Sequence, residues 1–396
     1  MTKPRRVVNG KGPATVLGGA QVHKKVIAAM TEAMRSSVHM GELQWSAGQE
    51  IASAIGAEAA FVTGCAAAGM SVSVAAAIGG ADLSQVTSLP HSLHDRTEVV
   101  IQKAHVIIVG GCDANQVIRL GGGRPVEVGT AADCADFHLA AGLGPRTAAA
   151  LFVDAERAHG SGTLSLRQFA DQCHEAGVPV IVDAAGTYDP GQFFADGADL
   201  VVFSIHKWFR GPTAGVIAGR KDLVDAAFLH GEFGVGRPMK AGKEGVAGAL
   251  AAVRLWAAGD SGERTELERG LVDAIVDGLH GLPGLTAYAA TTLHESTAPT
   301  SVRIDVDPAD AKIQAWQLAA RTEAMEPSVV LYDYEAAQGY LLIDPGFLTA
   351  GDAPEIVRAI RSALPDGPGE AADLTAAPPP RFATLARTMA AWSAGR

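Results

Sequence analysis

The stretch DLVVFSIHKWFRGPTAG, residues 199–215, carries Lys207 at the end of an apolar, β-branched run, and VPVIVDAAG, residues 178–186, carries Asp183 at the end of another. An ammonium is costly to desolvate, so a lysine in such a place is either incidental to packing or a reagent. The two residues are 24 positions apart, about one helix and one strand, a spacing that brings neighbouring strand ends of a parallel sheet to one crevice. An amine that condenses with an aldehyde and a carboxylate that keeps a pyridine nitrogen protonated are the two groups pyridoxal 5'-phosphate requires to act as an electron sink. On spacing alone the pair reads equally well as a surface lysine and a strand-end helix cap.

Three further stretches bear on this chemistry. VTGCAAAGMSVSVAAA (62–77) reads as a strand, a turn of small residues and a helix. Backbone N–H groups at such a helix start hold phosphate, which makes Thr63, Gly64, Cys65 and Ala66 a candidate cup; taken alone the signal is weak, because any α/β chain has such turns. Ser204, three residues before the lysine, adds a hydroxyl, and His206 beside the lysine is grouped with the cofactor-binding candidates. His105 follows the run EVVIQKA, where an imidazole either lies on a cofactor ring, shuttles a proton, or is a satisfied core residue. GVGRPMKAGKEGVAGAL (234–250) places Arg237, Lys240 and Lys243 in a Gly/Pro-rich loop ahead of an apolar helix. It reads as a cationic loop for phosphate or carboxylate, or as a solvated basic patch.

The elements that must position these groups are short β-branched runs, AAFVTG, EVVIQKAH, AALFVDA, VPVIVDAAG and ADLVVFSIHK, separated by helix-like segments. Strands alternating with helices predict βαβ units and a mostly parallel sheet covered on both faces. AQVHKKVIAAMTEAMR (20–35) has amphipathic helical spacing, and TSVRIDVD and GYLLIDPGFL read as strands of a second module. The expected division is an N-terminal segment 1–44 packing with the small domain, a large cofactor-binding domain 45–245, a small α+β domain 246–366, and a linker with a terminal helix over 367–396. Arg303, in TSVRIDVD, is a weaker candidate for a substrate carboxylate. The 396 residues carry a formal charge of −11 and 48% hydrophobic residues. That charge argues against nucleic acid or an anionic membrane as partner and for a small-molecule substrate. The four cysteines show neither CxxC nor CxxH spacing, so neither a metal site nor a disulfide framework is expected. No stretch reads as a signal peptide or a membrane span, and a cytoplasmic location is expected.

Together these motifs resemble the fold-type-I pyridoxal-phosphate enzymes. Within them the chain is similar to the group that includes L-seryl-tRNA(Sec) selenium transferase and D-glucosaminate-6-phosphate ammonia-lyase. The resemblance rests on VVNGKGPATVLGG, GELQWSAGQEIASAIGAEAAFVTGCAAAG, EVVIQKAH, VIVDAAG, DLVVFSIHKWFRGPTAGVIAGRKDL and GRPMKAGKEGVAGAL, in order over most of residues 7–365. It implies that Lys207 forms the Schiff base, Asp183 pairs with the pyridine nitrogen, Gly64, Cys65, Ala66 and Ser204 hold the phosphate, and His105 stacks on the ring. It further implies a homodimer or larger homo-oligomer, in which the loop with Arg237 and Lys240 serves a neighbouring site.

Where the family commonly has glycine and glutamine, this chain has Ile205 and Thr213. The branched Ile205 is expected to narrow the space around the cofactor. An acidic chain without a basic arm sets transfer onto tRNA aside. The expected activity is α,β-elimination on an amino acid, of the ammonia-lyase type. Racemisation and transamination are the alternatives within the same chemistry, and a non-catalytic scaffold is the alternative outside it.

Overall fold

The computed structural model describes residues 4–109, 112–154, 162–259, 263–290, 301–366 and 372–379, with Ala390 and Ser393. The chain divides into two compact units, residues 13–260 and residues 1–12 with 261–396.

The larger unit is built on seven strands: β1 (Ala59–Thr63), β2 (Glu98–Gln102), β3 (Arg124–Val128), β4 (Thr147–Val153), β5 (Val180–Asp183), β6 (Leu200–Ser204) and β7 (Gly215–Gly219). Their order across the sheet is β1-β7-β6-β5-β4-β2-β3. The β3-β2-β4-β5-β6 run is parallel, and β7 is antiparallel to both of its neighbours. Six of the seven strands are buried along nearly their whole length, as expected for a sheet covered on both faces. The exception, β3, is one of the two edge strands: RPVEV carries a proline and two charges, which an edge strand tolerates.

Alternation along the strands divides the core in two. Val62, Val182, Val201, Phe203 and Val216 face one side. There they meet helices α1 (Lys24–Met34) and α2 (Met40–Ile55) through Val26, Ala47 and Ile51. Phe61, Ile181, Leu200, Val202 and Ile217 face the other side. That side is covered by α3 (Ala66–Gly79) and α4 (Lys221–Glu232), through Met70, Val74 and Val224.

The domain boundaries differ from the expected ones. The helix α5 (Lys243–Ala257) was expected to open the small domain; instead it packs on α1 and α2, and its Val246, Ala249 and Val253 join the core beneath the sheet. Residues 13–44 also belong to the larger unit, because α1 and the start of α2 bury their apolar stripes in that same core.

The smaller unit is α+β. A three-stranded antiparallel sheet (Leu285–Ala290, Ser301–Val306, Tyr340–Ile343) stands beside a parallel pair formed by Val7–Gly10 and Ser328–Leu331. Helices Glu263–Leu279 and Asp352–Ala363 pack together and bury Leu271, Ile275, Ile356 and Ile360. Part of the expected linker is docked: Gln314 Nε2 donates to the Leu374 carbonyl, and Gln317 Nε2 donates to the Asp373 carbonyl at 2.9 Å. The terminal helix expected over 381–394 lies outside the described residues, save Ala390 and Ser393. Among the described residues no helix is long and apolar enough to cross a membrane.

Candidate active site

The site stands at the carboxyl ends of β1, β5 and β6. Thr63 shares the pleat face of Phe61, Asp183 that of Ile181 and Ser204 that of Val202, so all three point to the α3 side of the sheet. Register brings them abreast: Asp183 lies opposite Val202, and Gly215 lies between Thr63 on one side and Ser204 on the other. A Cβ at Gly215 would fall 2.4 Å from the Cys65 carbonyl carbon and 2.5 Å from the Ala66 nitrogen. The missing side chain is what lets the start of α3 come down onto the sheet.

That start forms the expected cup. Cys65 is the N-cap of α3, and its Sγ accepts the Ala68 N–H at 3.4 Å. Other N–H groups of the first turn have no acceptor inside the helix. Thr63 Oγ1 donates to the Cys65 carbonyl at 2.9 Å and fixes the turn. The loop before α5 closes against it, with the Gly64 N–H donating to the Met239 carbonyl at 3.1 Å and Thr63 bridging Lys240. A Cβ at Gly64 would lie 2.5 Å from the Met239 oxygen. Gly64→Ala is therefore expected to displace this loop and lower unfolding stability by about 1–3 kcal/mol, measured by urea titration.

Lys207 sits in the turn after β6. This turn is fixed by Ile205 N–H to the Ala214 carbonyl (3.0 Å), Gly211 N–H to the Ile205 carbonyl (2.9 Å) and Arg210 N–H to the Lys207 carbonyl (3.0 Å). Trp208 Nε1 donates to the Gly186 carbonyl at 2.7 Å, tying the lysine turn to the loop that follows Asp183. The structure brings Lys207 and Asp183 into each other's field. Burial pushes the Lys207 ammonium below its ordinary pKa, opposed by the Asp183 carboxylate. Burial pushes Asp183 up to about 6, against the Ala185 N–H it accepts at 3.0 Å and the Lys207 charge, and with a smaller push from Asp154.

A pyridine ring bearing an aldehyde and a phosphate fits this donor set. A desolvated amine serves the aldehyde. A buried carboxylate, whose charge burial disfavours, gains from a protonated ring nitrogen. A helix start with a neighbouring hydroxyl serves the phosphate.

Two expected placements do not hold. His105 is fully buried on the opposite face of the sheet from Asp183, edge-on to Phe152 with ring centroids 4.4 Å apart. Its Nδ1 accepts the Val153 N–H at 3.0 Å, and Gln102 Nε2 lies 3.3 Å from its Nε2. An imidazole with no open face and both nitrogens engaged holds the β2–β4 junction and has no side to offer a cofactor ring. Ile205 likewise points away from the site. It follows Phe203 into the core beneath the sheet, where a Cβ on Gly211 would meet its Cγ2 at 2.5 Å. It does not narrow the space around Lys207.

The remaining candidates divide. His206 is buried, with Nδ1 3.1 Å from Ser204 Oγ, and burial followed by the Lys207 charge lowers its pKa. Arg237 is paired with Glu232 at 2.9 Å, and Lys243 Nζ donates to the carbonyls of Met34 and Ser36. Lys240 is exposed beside the cup. Arg303 is spent within its own sheet, on Asp305 at 2.8 Å and over the Tyr340 ring.

Sequence reasoning missed Trp208, whose indole falls directly after the lysine. It also missed Cys112, whose thiol is pushed up by burial and then by the charges of Cys65, Asp113 and Asp183. A third omission is the segment Thr15–His23, which crosses the lysine turn: Ala20 N–H donates to the His206 carbonyl at 2.8 Å.

The chain is similar to known proteins along most of its length. The L-seryl-tRNA selenium transferase (SelA) family pattern matches residues 7–264. A 5'-C-glycyluridine monooxygenase-decarboxylase from a Streptomyces species is 38% identical, covering 92% of this chain and 91% of its own. A D-glucosaminate-6-phosphate ammonia lyase from Salmonella typhimurium is 31% identical, covering 90% of this chain and 95% of its own. A solved structure of D-glucosaminate-6-phosphate ammonia-lyase superposes with a TM-score of 0.81 at 30% identity, over 91% of this chain and 96% of that one. The chain belongs to the L-seryl-tRNA selenium transferase (SelA) family, and it is an enzyme of the fold-type-I pyridoxal-phosphate group.

Proposed function

We propose that this protein is a pyridoxal-phosphate-dependent lyase that acts at the α-carbon of an amino acid and releases ammonia by α,β-elimination. The observation that carries the reading is the placement of Lys207 in the turn after β6 and of Asp183 at the end of the paired strand β5, which brings the two charges into each other's field. When bound, pyridoxal phosphate supplies an aldehyde for amines and an electron-poor ring that accepts the electron pair left at the α-carbon. Asp183 holds a proton at the ring nitrogen. Gly64, Cys65, Ala66 and Ser204, with His206 behind Ser204, bind the phosphate. Lys207, whose depressed pKa leaves more of the amine unprotonated near neutrality, takes the proton from Cα. A leaving group on Cβ departs with its bonding electrons, and hydrolysis of the product gives ammonia and a keto acid.

The charge of −11 supports a small-molecule substrate over tRNA. Membership of the SelA family supports a homo-oligomer, in which the loop with Arg237 and Lys240 serves a neighbouring copy's site. Cys65, Cys134 and Cys173, which stand outside any disulfide among the described residues, support a cytoplasmic setting.

A second reading is favoured by the 38% identical monooxygenase-decarboxylase: loss of carbon dioxide from the same carbon, with dioxygen as oxidant. Amino acids incubated with the loaded enzyme, with and without air, separate the two. Ammonia and a keto acid formed equally in both atmospheres support elimination. Carbon dioxide formed only in air supports the second reading, and a product that is only racemised or transaminated overturns both.

A further inference from the structure

We propose that Thr15, on the segment that crosses the lysine turn, is a positioning residue that sets the hydrogen-bond direction of His206 and Ser204 and thereby the affinity of the cup for a phosphate monoester. The inference rests on the reading of this site as a pyridoxal-phosphate site.

Three side chains form one line. Ser204 Oγ lies 3.1 Å from His206 Nδ1, and His206 Nε2 lies 3.3 Å from Thr15 Oγ1. Backbone contacts hold the line in place independently of these side chains. Ala20 N–H donates to the His206 carbonyl at 2.8 Å, and His23 N–H donates to the Arg210 carbonyl at 3.2 Å. Gly19 approaches so closely that a Cβ there would fall 2.5 Å from His206 Cδ2. The imidazole is thus clamped between the strand end and the segment, with Ser204 and His206 buried and Thr15 exposed.

A neutral imidazole has one N–H, and its position decides what Ser204 can do. With the proton on Nε2, the ring donates to Thr15 and Nδ1 takes the only hydroxyl proton of Ser204. Ser204 then turns lone pairs toward an anion in the cup. With the proton on Nδ1, the ring donates to the Ser204 oxygen, and the Ser204 O–H is free to donate to a phosphate oxygen. Nε2 then needs a donor, and the Thr15 hydroxyl is placed to supply it. Burial and the Lys207 charge favour the neutral ring on which this choice depends.

Thr15→Val keeps the shape of the side chain and removes the donor; Thr15→Ser restores it. Full-length wild type, Thr15→Val and Thr15→Ser are stripped of cofactor and titrated by absorption with pyridoxal phosphate and, separately, with pyridoxal, which lacks the phosphate. The expected result is about a tenfold weaker pyridoxal-phosphate affinity for Thr15→Val, unchanged pyridoxal affinity, and recovery in Thr15→Ser. Nitrogen-15 resonances of His206 in the loaded wild type are expected to show Nδ1 protonated. Unchanged pyridoxal-phosphate affinity in Thr15→Val, an equal loss for both aldehydes, or an Nε2-protonated His206 overturns the inference. A wild type that binds neither aldehyde overturns the pyridoxal-phosphate reading itself.

Discussion

Lys207→Ala is expected to lower turnover by about 10²–10⁴-fold and to abolish covalent capture of the aldehyde. Lys207 has two tasks, holding the aldehyde and moving the α-proton, and both need an amine at this point in space. The turn that presents it is fixed by backbone hydrogen bonds of Ile205, Arg210 and Gly211 and by the Trp208 indole, none of which uses the lysine side chain. The variant is therefore expected to fold, and a thermal melt checks this. Adding a small primary amine is expected to return part of the lost rate by supplying the missing base. A variant that keeps wild-type turnover would remove Lys207 from the chemistry.

Asp183→Asn is expected to act in opposite directions on stability and on activity. In the cofactor-free protein, burial raises the Asp183 pKa from the ordinary 3.8 to about 6. Between those values the folded chain holds the proton and the unfolded chain has released it, so this group's contribution to stability falls as pH rises through the window. Above about pH 6 the penalty is fully present, on the order of 1–3 kcal/mol. Asparagine has no charge to desolvate. The cofactor-free variant is expected to melt above the wild type at pH 8, with the gap closing near pH 4.

Asp344, half-buried in the smaller unit and also pushed up to about 6 by desolvation, is common to both proteins and cancels from the difference. With cofactor loaded, the same substitution removes the anion that keeps a proton on the ring nitrogen, and turnover is expected to fall by about 10²–10³-fold. A variant that is both less stable at pH 8 and fully active would contradict this assignment.

Much of the frame was legible because it depends on local pattern. The apolar β-branched runs became β1, β2, β4, β5 and β6, and the amphipathic spacing over 20–35 became α1. Two strands of the same sheet left no comparable signal. RPVEV at one edge carries a proline and charges, and GVIAG has small residues at three of its five positions, of which Gly215 lets α3 approach. The boundary near 245 was misplaced because the apolar helix after the Gly/Pro-rich loop carries no local sign of which core it joins, whereas here the loop is bridged to Thr63 and the helix packs beneath the sheet.

Within the candidate site, Lys207, Asp183, Ser204 and the turn at Gly64–Ala66 could be singled out because each follows a strong strand pattern. His105 followed one too. Its displacement to the other face came from the turn Lys103–His105 and from Phe152, contacts that spacing cannot show. Ile205 was decipherable in principle, since it alternates in phase with Phe203 and against Ser204. Which face carried α3 was a tertiary fact. The clasp of Thr15 and Ala20 on His206 spans about 190 residues, beyond the reach of any local pattern.

The central claim is that Lys207 holds the cofactor beside Asp183, and its most direct test is chemical. The full-length protein is incubated with pyridoxal phosphate, reduced with borohydride, digested and mapped by mass spectrometry. The account predicts a visible absorption band before reduction and, after it, a single phosphopyridoxyl-modified peptide carrying the mass on Lys207, absent in Lys207→Ala. Modification spread over exposed lysines such as Lys240, with Lys207 unmodified, would contradict it.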